Sequence, residues 1–94
     1  MVIGICTLEL TIPAATSLKD KRQVIKSLTA RLRSEFNVSV AEVDQLDLWQ
    51  SAVVAVVTVS SDKDYAHGLM TRVAVWVEHH RLDCQLVDYE IELV

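Results

Sequence analysis

The chain contains few of the residues that break or cross-link a fold: two Gly, one Pro and two Cys among 94 residues. The scarcity of Gly and Pro, together with a hydrophobic content of 51%, excludes intrinsic disorder. The two cysteines, Cys6 and Cys84, provide neither a disulfide framework nor a paired-cysteine zinc motif. We therefore expect both thiols to behave as small buried hydrophobes.

The sequence also lacks a segment that would direct it out of the cytoplasm. Its longest apolar run, Ala52–Val57, is six residues, whereas a membrane span needs about 20. The first dozen residues carry no basic stretch of the kind that opens a secretory signal peptide. We expect a cytoplasmic protein without a membrane segment. Because the chain begins with Met1 and its length suits one domain, we expect a complete gene product with a single domain, residues 1–94.

Hydrophobic periodicity predicts six elements in the order β-α-β-β-α-β. The predicted strands and helices are 2–12 (strand), 18–35 (helix), 38–44 (strand), 52–59 (strand), 63–80 (helix) and 85–93 (strand). Ser17 is the expected N-cap of the first helix, with Asp20 completing a weak capping box. This order is typical of the ferredoxin-like βαββαβ sandwich, an α+β fold. Its four-stranded antiparallel sheet has the order 4-1-3-2, with both helices on one face.

Two helices cover only one face of such a sheet. The last strand alternates, so its apolar residues are expected on the helix side: Val87, Tyr89, Ile91 and Leu93. The open face is expected to present Ile3 and Ile5, alternate valines of the third strand, and the carboxylates of Asp88, Glu90 and Glu92. Ile3 and Ile5 are therefore candidate contacts in a homodimer, with a scattered, harmless apolar surface as the alternative. RNA recognition by base stacking on this face is excluded, because the central strands carry no aromatic residue.

Positive charge is concentrated in the first helix. Residues 18–33 have a net charge of +5, whereas the other 78 residues together have a net charge of −9. Lys19, Lys21 and Arg22 lie in the first turns, where cations oppose the helix macrodipole. Such violations of local rules are commonest at functional sites. Five side chains are therefore candidate contacts to phosphate, most simply of a nucleic-acid backbone read without sequence specificity: Lys19, Lys21, Arg22, Lys26 and Arg33. A merely solvated helix face is the alternative.

The connection between the second and third strands carries Asp47 and Trp49. A tryptophan in a turn either folds back over the end of the core or contacts a partner chain. Asp47 and Trp49 are therefore candidate partner contacts. The carboxylates of Glu42, Asp44 and Asp47 are of the type that holds a hard cation, but such clusters in turns are more often solvated. We expect neither a bound metal nor a cofactor.

No group of residues predicts catalysis. No Ser or Cys has an evident His partner, and the pair His79 and His80 lacks a third metal ligand. Acylphosphatases and copper chaperones share the predicted topology. Their first loops carry glycine with arginine, or paired cysteines, whereas here that loop is Pro-Ala-Ala-Thr-Ser, residues 13–17. We therefore expect a binding protein rather than an enzyme.

Three segments together resemble one family. They are residues 17–22 (SLKDKR), 36–44 (FNVSVAEVD) and 47–50 (DLWQ). Over essentially the whole chain, the sequence is similar to the YlxP-like proteins, a bacterial family of unknown function. The resemblance implies a ferredoxin-like fold, a cytoplasmic location and a gene neighbourhood linked to translation and ribosome maturation. It brings no catalytic residues.

Two hypotheses of function follow from the sequence. The leading one is an accessory protein that docks on RNA or a ribosomal particle through the basic first helix. The alternative is a protein-interaction module or homodimer without a nucleic-acid role, which uses the open sheet face or the Asp47–Trp49 loop.

Overall fold

The computed structural model describes residues 1–80 and 83–94. The elements follow the predicted order, and each end lies within one residue of its expected position. Their bounds are β1 Val2–Thr11, α1 Leu18–Glu35, β2 Ser39–Asp44, β3 Ser51–Ser60, α2 Lys63–His79 and β4 Gln85–Leu93. Neither helix of the described chain has the length and apolarity that a membrane crossing requires.

The four strands form one antiparallel sheet in the order β2-β3-β1-β4. This is the predicted order read from the opposite edge, and it confirms the α+β ferredoxin-like fold. The central strands pair along their whole length, from Val2 opposite Ser60 to Thr11 opposite Ser51. Directly opposed residues of an antiparallel pair share a face. Cys6 and Leu8 therefore lie on the helix side with Val54 and Val56.

The core lies between that face and the two helices. Helix α1 contributes Ile25, Leu28 and Leu32, and α2 contributes a longer row that includes Met70 and Val73. Both cysteines are buried and free, which confirms the prediction made for them. Burial raises the pKa of each thiol to about 11, and the nearby Asp83 carboxylate adds to the effect at Cys84. Both thiols are therefore protonated at neutral pH.

Helix α1 begins with the predicted N-cap, in a modified form. The Ser17 hydroxyl accepts a hydrogen bond from Asp20 N at 3.1 Å. The Asp20 carboxylate accepts from Thr16, the residue before the cap, through its hydroxyl at 2.7 Å and its backbone N–H at 3.0 Å. These hydrogen bonds from Thr16 lower the pKa of Asp20, because they stabilise its charged form. The helix start is thus capped by its own chain.

Strand β4 departs from the predicted alternation at Val87. Glu9 pairs with Asp88 but Leu10 pairs with Leu86, so the register shifts between them and Val87 is an extra residue. This bulge leaves Val87 61% exposed, while Leu86 packs against the core in its place. The expectation that Val87 faces the helices is therefore wrong. A single inserted residue exchanges the two faces of a strand.

The two glycines have opposite packing environments. A Cβ atom built on Gly4 would lie 3.2 Å from Met70 Cγ, 3.3 Å from Thr58 Cγ2 and 3.4 Å from Ala66 Cβ. Gly4 thus allows α2 to approach β1 closely. A Cβ on Gly68, in α2, would meet no atom within 4 Å.

This contrast predicts opposite effects of filling the two positions. Gly4→Val is expected to lower the free energy of unfolding by about 1–3 kcal/mol, because the added methyl groups overpack the core. Gly68→Ala is expected to raise it by about 0.5–1 kcal/mol, because alanine is the better helix former. Equilibrium urea denaturation measures both. A Gly4→Val variant as stable as the parent would contradict the close approach of α2.

Candidate functional site

Lys21 is a fully buried cation on the sheet-facing side of α1. Its Nζ lies 2.7 Å from Glu42 Oε2. The same atom donates to the backbone carbonyls of Gln45 at 2.8 Å and Ser51 at 3.1 Å. Two hydrogen bonds to carbonyls and one ion pair therefore surround the ammonium group, which has three protons. Lys21 has no access to a phosphate, and the structure removes it from the predicted phosphate contacts.

Glu42 depends on Lys21 in return. Glu42 lies opposite Val54, on the helix side of the sheet, and its side chain is only 13% exposed. Its buried Oε2 accepts no hydrogen bond from the described residues, and the Lys21 ammonium is its ion-pair partner. A charge in such a position is costly unless it is paired. We call Lys21, Glu42 and the carbonyls of Gln45 and Ser51 the Lys21 cluster.

The Lys21 cluster immobilises the loop between β2 and β3. The Gln45 carbonyl that binds Lys21 also accepts from Leu48 N at 3.1 Å. Gln45 has φ 58°, the left-handed region that non-glycine residues rarely adopt. At the other end of the loop, Gln50 Nε2 donates to the carbonyls of Pro13 at 3.2 Å and Ala15 at 3.1 Å. The loop is thus anchored to α1 and to the β1–α1 connection.

Three large apolar side chains of this loop are exposed to solvent. Leu46, Leu48 and Trp49 are 56%, 50% and 53% exposed, and we call them the loop patch. Asp47, between them, is also exposed. Trp49 does not fold back over the core, so that interpretation is wrong. Partner contact by Asp47 and Trp49 stays a prediction.

The other tryptophan, Trp76, has a different environment. Phe36 meets its ring edge-on, with centroids 6.4 Å apart, and His80 stacks on it at 4.1 Å. The Arg31 guanidinium lies 5.2 Å from the ring centroid. Trp76 therefore packs within the molecule, and Arg31 is positioned by that contact.

Four of the predicted phosphate contacts lie together on one exposed side of α1. We call this set the basic stripe: Lys19, Arg22, Lys26 and Arg33. Arg33 makes a long hydrogen bond, 3.5 Å, to the Val40 carbonyl in edge strand β2. Arg31, across the helix, faces Trp76 of α2 instead. The basic stripe therefore faces the β2 edge, and no ion pair joins it to an acid of the described chain.

The remaining candidate residues are the two isoleucines of β1 and the carboxylates considered for a hard cation. Ile3 and Ile5 are on the open face as predicted, opposite Val59 and Val57. Asp44 pairs with Val53 on that same face, whereas Glu42 points toward the helices. The carboxylates proposed for a hard cation therefore do not converge. The described part of the chain contains no group of three potential metal-ligating side chains.

Removal of one partner of the Lys21 cluster is expected to destabilise the protein. Lys21→Met should lower the free energy of unfolding by about 3 kcal/mol, because Glu42 remains as an unpaired, poorly solvated charge. Lys21→Met/Glu42→Met should recover at least about 1 kcal/mol of that loss. Lys26→Met substitutes an exposed residue of the same helix, and its free energy of unfolding should stay within about 0.5 kcal/mol of the parent value. Urea denaturation of the parent and these three variants tests this, and a double variant no more stable than Lys21→Met would contradict it.

Comparison with known proteins identifies the family. The family model described as "Protein of unknown function (DUF503)" matches residues 3–91. The chain is 34% identical over 77 residues to "Uncharacterized protein YlxP" of Bacillus subtilis (strain 168), covering 82% of this chain and 84% of that protein. Among solved structures it is similar to "De novo designed protein Foldit4", with a TM-score of 0.54, 14% identity and coverage of 100% of this chain and 97% of that one. This last likeness shows the fold alone. The chain belongs to the DUF503 family, as its resemblance to the YlxP-like proteins predicted.

Proposed function

We propose that this protein binds RNA, free or within a ribosomal particle, through the basic stripe of α1. The observation that carries the proposal is a row of four exposed cations on one side of a helix, none paired with an acid of the described chain. From Lys19 to Arg33 the row is about 21 Å long at 1.5 Å per residue. This length suits several consecutive phosphates of one strand.

The geometry favours side-chain contacts over binding at the helix end. Ser17 already caps the start of α1, and the Asp20 carboxylate lies beside it. An anion at the helix terminus would meet that carboxylate. The basic stripe runs from this end along the side of α1 that faces the β2 edge, where Arg33 contacts Val40. Binding of this kind is sensitive to salt and carries little sequence information.

The basic stripe predicts a specific salt dependence. With four phosphate contacts, the logarithm of the binding constant for single-stranded RNA should fall against the logarithm of salt concentration with a slope of about −2.8. Arg22→Gln/Lys26→Gln should reduce the slope to about −1.4, because two contacts are lost. Fluorescence anisotropy with a labelled 12-nucleotide RNA measures the slope, and co-sedimentation with ribosomal particles extends it to a ribonucleoprotein.

A matched control separates the basic stripe from net charge. Lys63→Gln/Arg72→Gln removes two exposed positive charges from α2 and should leave the slope unchanged. Equal effects of the two double variants would show that only net charge matters. No binding by the parent protein at any salt concentration would overturn the proposal.

A second candidate function, homodimerisation, is favoured by the uncovered face of the sheet. Ile3, Ile5, Val57 and Val59 lie side by side there, and no element of the described chain packs over them. A two-fold axis parallel to the strands would place β4 of one copy over β2 of the other. Glu92 and Glu90 of β4 would then face the uncharged open-face residues of β2, Ser39 and Ala41, rather than one another, whereas Asp88 would lie level with Asp44.

Homodimerisation predicts a concentration-dependent mass. Sedimentation equilibrium should approach twice the chain mass of 10.5 kDa as concentration rises. Ile5→Asp should keep the protein monomeric, because it would place a charge in the interface. Lys63→Asp, on α2, should not change the mass. A parent that stays monomeric at millimolar concentration would exclude this function.

A further inference from the structure

We propose that Trp49 is a stacking platform for a base of single-stranded RNA whose phosphates bind the basic stripe; this rests on the function proposed above. The inference specifies the ligand as single-stranded, since a base within a duplex does not offer its face to a side chain. It also gives the loop between β2 and β3 a role that phosphate binding alone does not require.

The first argument is exposure combined with fixed position. Trp49 is 53% exposed, although an indole gains most when it is buried. The loop that presents it is anchored by Lys21 at Gln45 and by Gln50 at Pro13 and Ala15. A platform that is already ordered loses little conformational entropy when a ligand binds.

The second argument is continuity with the basic stripe. The Lys21 side chain connects the first turns of α1, which carry Lys19 and Arg22, directly to Gln45 at the start of the loop. The basic stripe faces the β2 edge, as the contact from Arg33 to Val40 shows. The loop continues from the end of that same strand. A strand of RNA that follows the basic stripe toward its N-terminal end therefore arrives at the loop patch.

The third argument is the size and charge of the loop patch. Three half-exposed side chains offer room for one or two bases but fall well short of the roughly 800 Å² per partner of a standard protein interface. Asp44 and Asp47 are exposed in and beside the loop. Their carboxylates repel phosphate, so the RNA backbone is held on the α1 side and only a base extends over Trp49.

The test uses Trp49 as its own reporter. The chain has two tryptophans, so Trp76→Phe leaves Trp49 as the source of indole emission. In this background, a 12-nucleotide uridine RNA is expected to quench the emission. The same RNA annealed to its adenosine complement, and an abasic oligomer of equal phosphate number, are expected to bind without comparable quenching.

A variant set separates stacking from electrostatics. Trp49→Ala is expected to weaken binding of the uridine RNA at least about fivefold, with the salt slope and the affinity for the abasic oligomer unchanged. Trp49→Phe should retain most of the affinity. Tyr65→Ala, which removes an equally exposed aromatic ring from α2, should have no effect. Arg22→Gln/Lys26→Gln should make the salt slope less steep and leave the quenching at saturation unchanged.

The outcomes distinguish this inference from the function on which it rests. Salt-dependent RNA binding without quenching, and unaffected by Trp49→Ala, would overturn the stacking role, leave the proposed function intact and assign the loop patch to a protein partner. An equal loss of affinity for RNA and for the abasic oligomer in Trp49→Ala would also overturn it, because the loop would then only support the basic stripe. Absence of RNA binding by the parent would overturn both.

Discussion

The buried ammonium of Lys21 is the interaction on which both candidate binding surfaces depend. It joins α1 to β2 through Glu42 and to the loop through the carbonyls of Gln45 and Ser51. Removing an ammonium from water costs several kcal/mol, and here the ion pair with Glu42 and the two hydrogen bonds to carbonyls offset that cost. The arrangement therefore admits essentially one position for the loop. A hydrophobic residue at position 21 would fill the space without specifying that position.

This cluster also changes how the charge of the molecule is interpreted. The segment charge of +5 includes Lys21, whose charge is balanced internally by Glu42. The basic stripe along the β2 edge remains outside, together with Arg31 over Trp76 and Asp20 at the start of α1. The open face carries Asp88, Glu90 and Glu92 beside β1. An anionic ligand is thus attracted to one side of the molecule and repelled from another, which would define the orientation of an RNA bound as we propose.

Much of the fold was predictable because each element has a clear hydrophobic period and a clear stop. The prediction of Val87 was wrong because a bulge adds one residue without changing the composition of the strand. The prediction that Lys21 contacts phosphate was also wrong. Its position lies within the apolar arc of the helix, which was a signal that the side chain is buried. The missing information was its partner. Glu42 shares the helix-side parity of Val40 in β2, but nothing local connects it to a lysine 21 residues earlier.

The sequence by itself determined the order of elements, the sheet topology, the buried cysteines and the concentration of basic residues on α1. These features follow from periodicity and composition, which are properties of neighbouring residues. Only the tertiary structure decided which cations are available and that Trp49 is exposed. Both depend on contacts between α1, β2 and the loop that are distant in the chain. The free-energy cost of desolvating a charge, and the hydrogen bonds that offset it, arise only when those elements pack together in the folded structure.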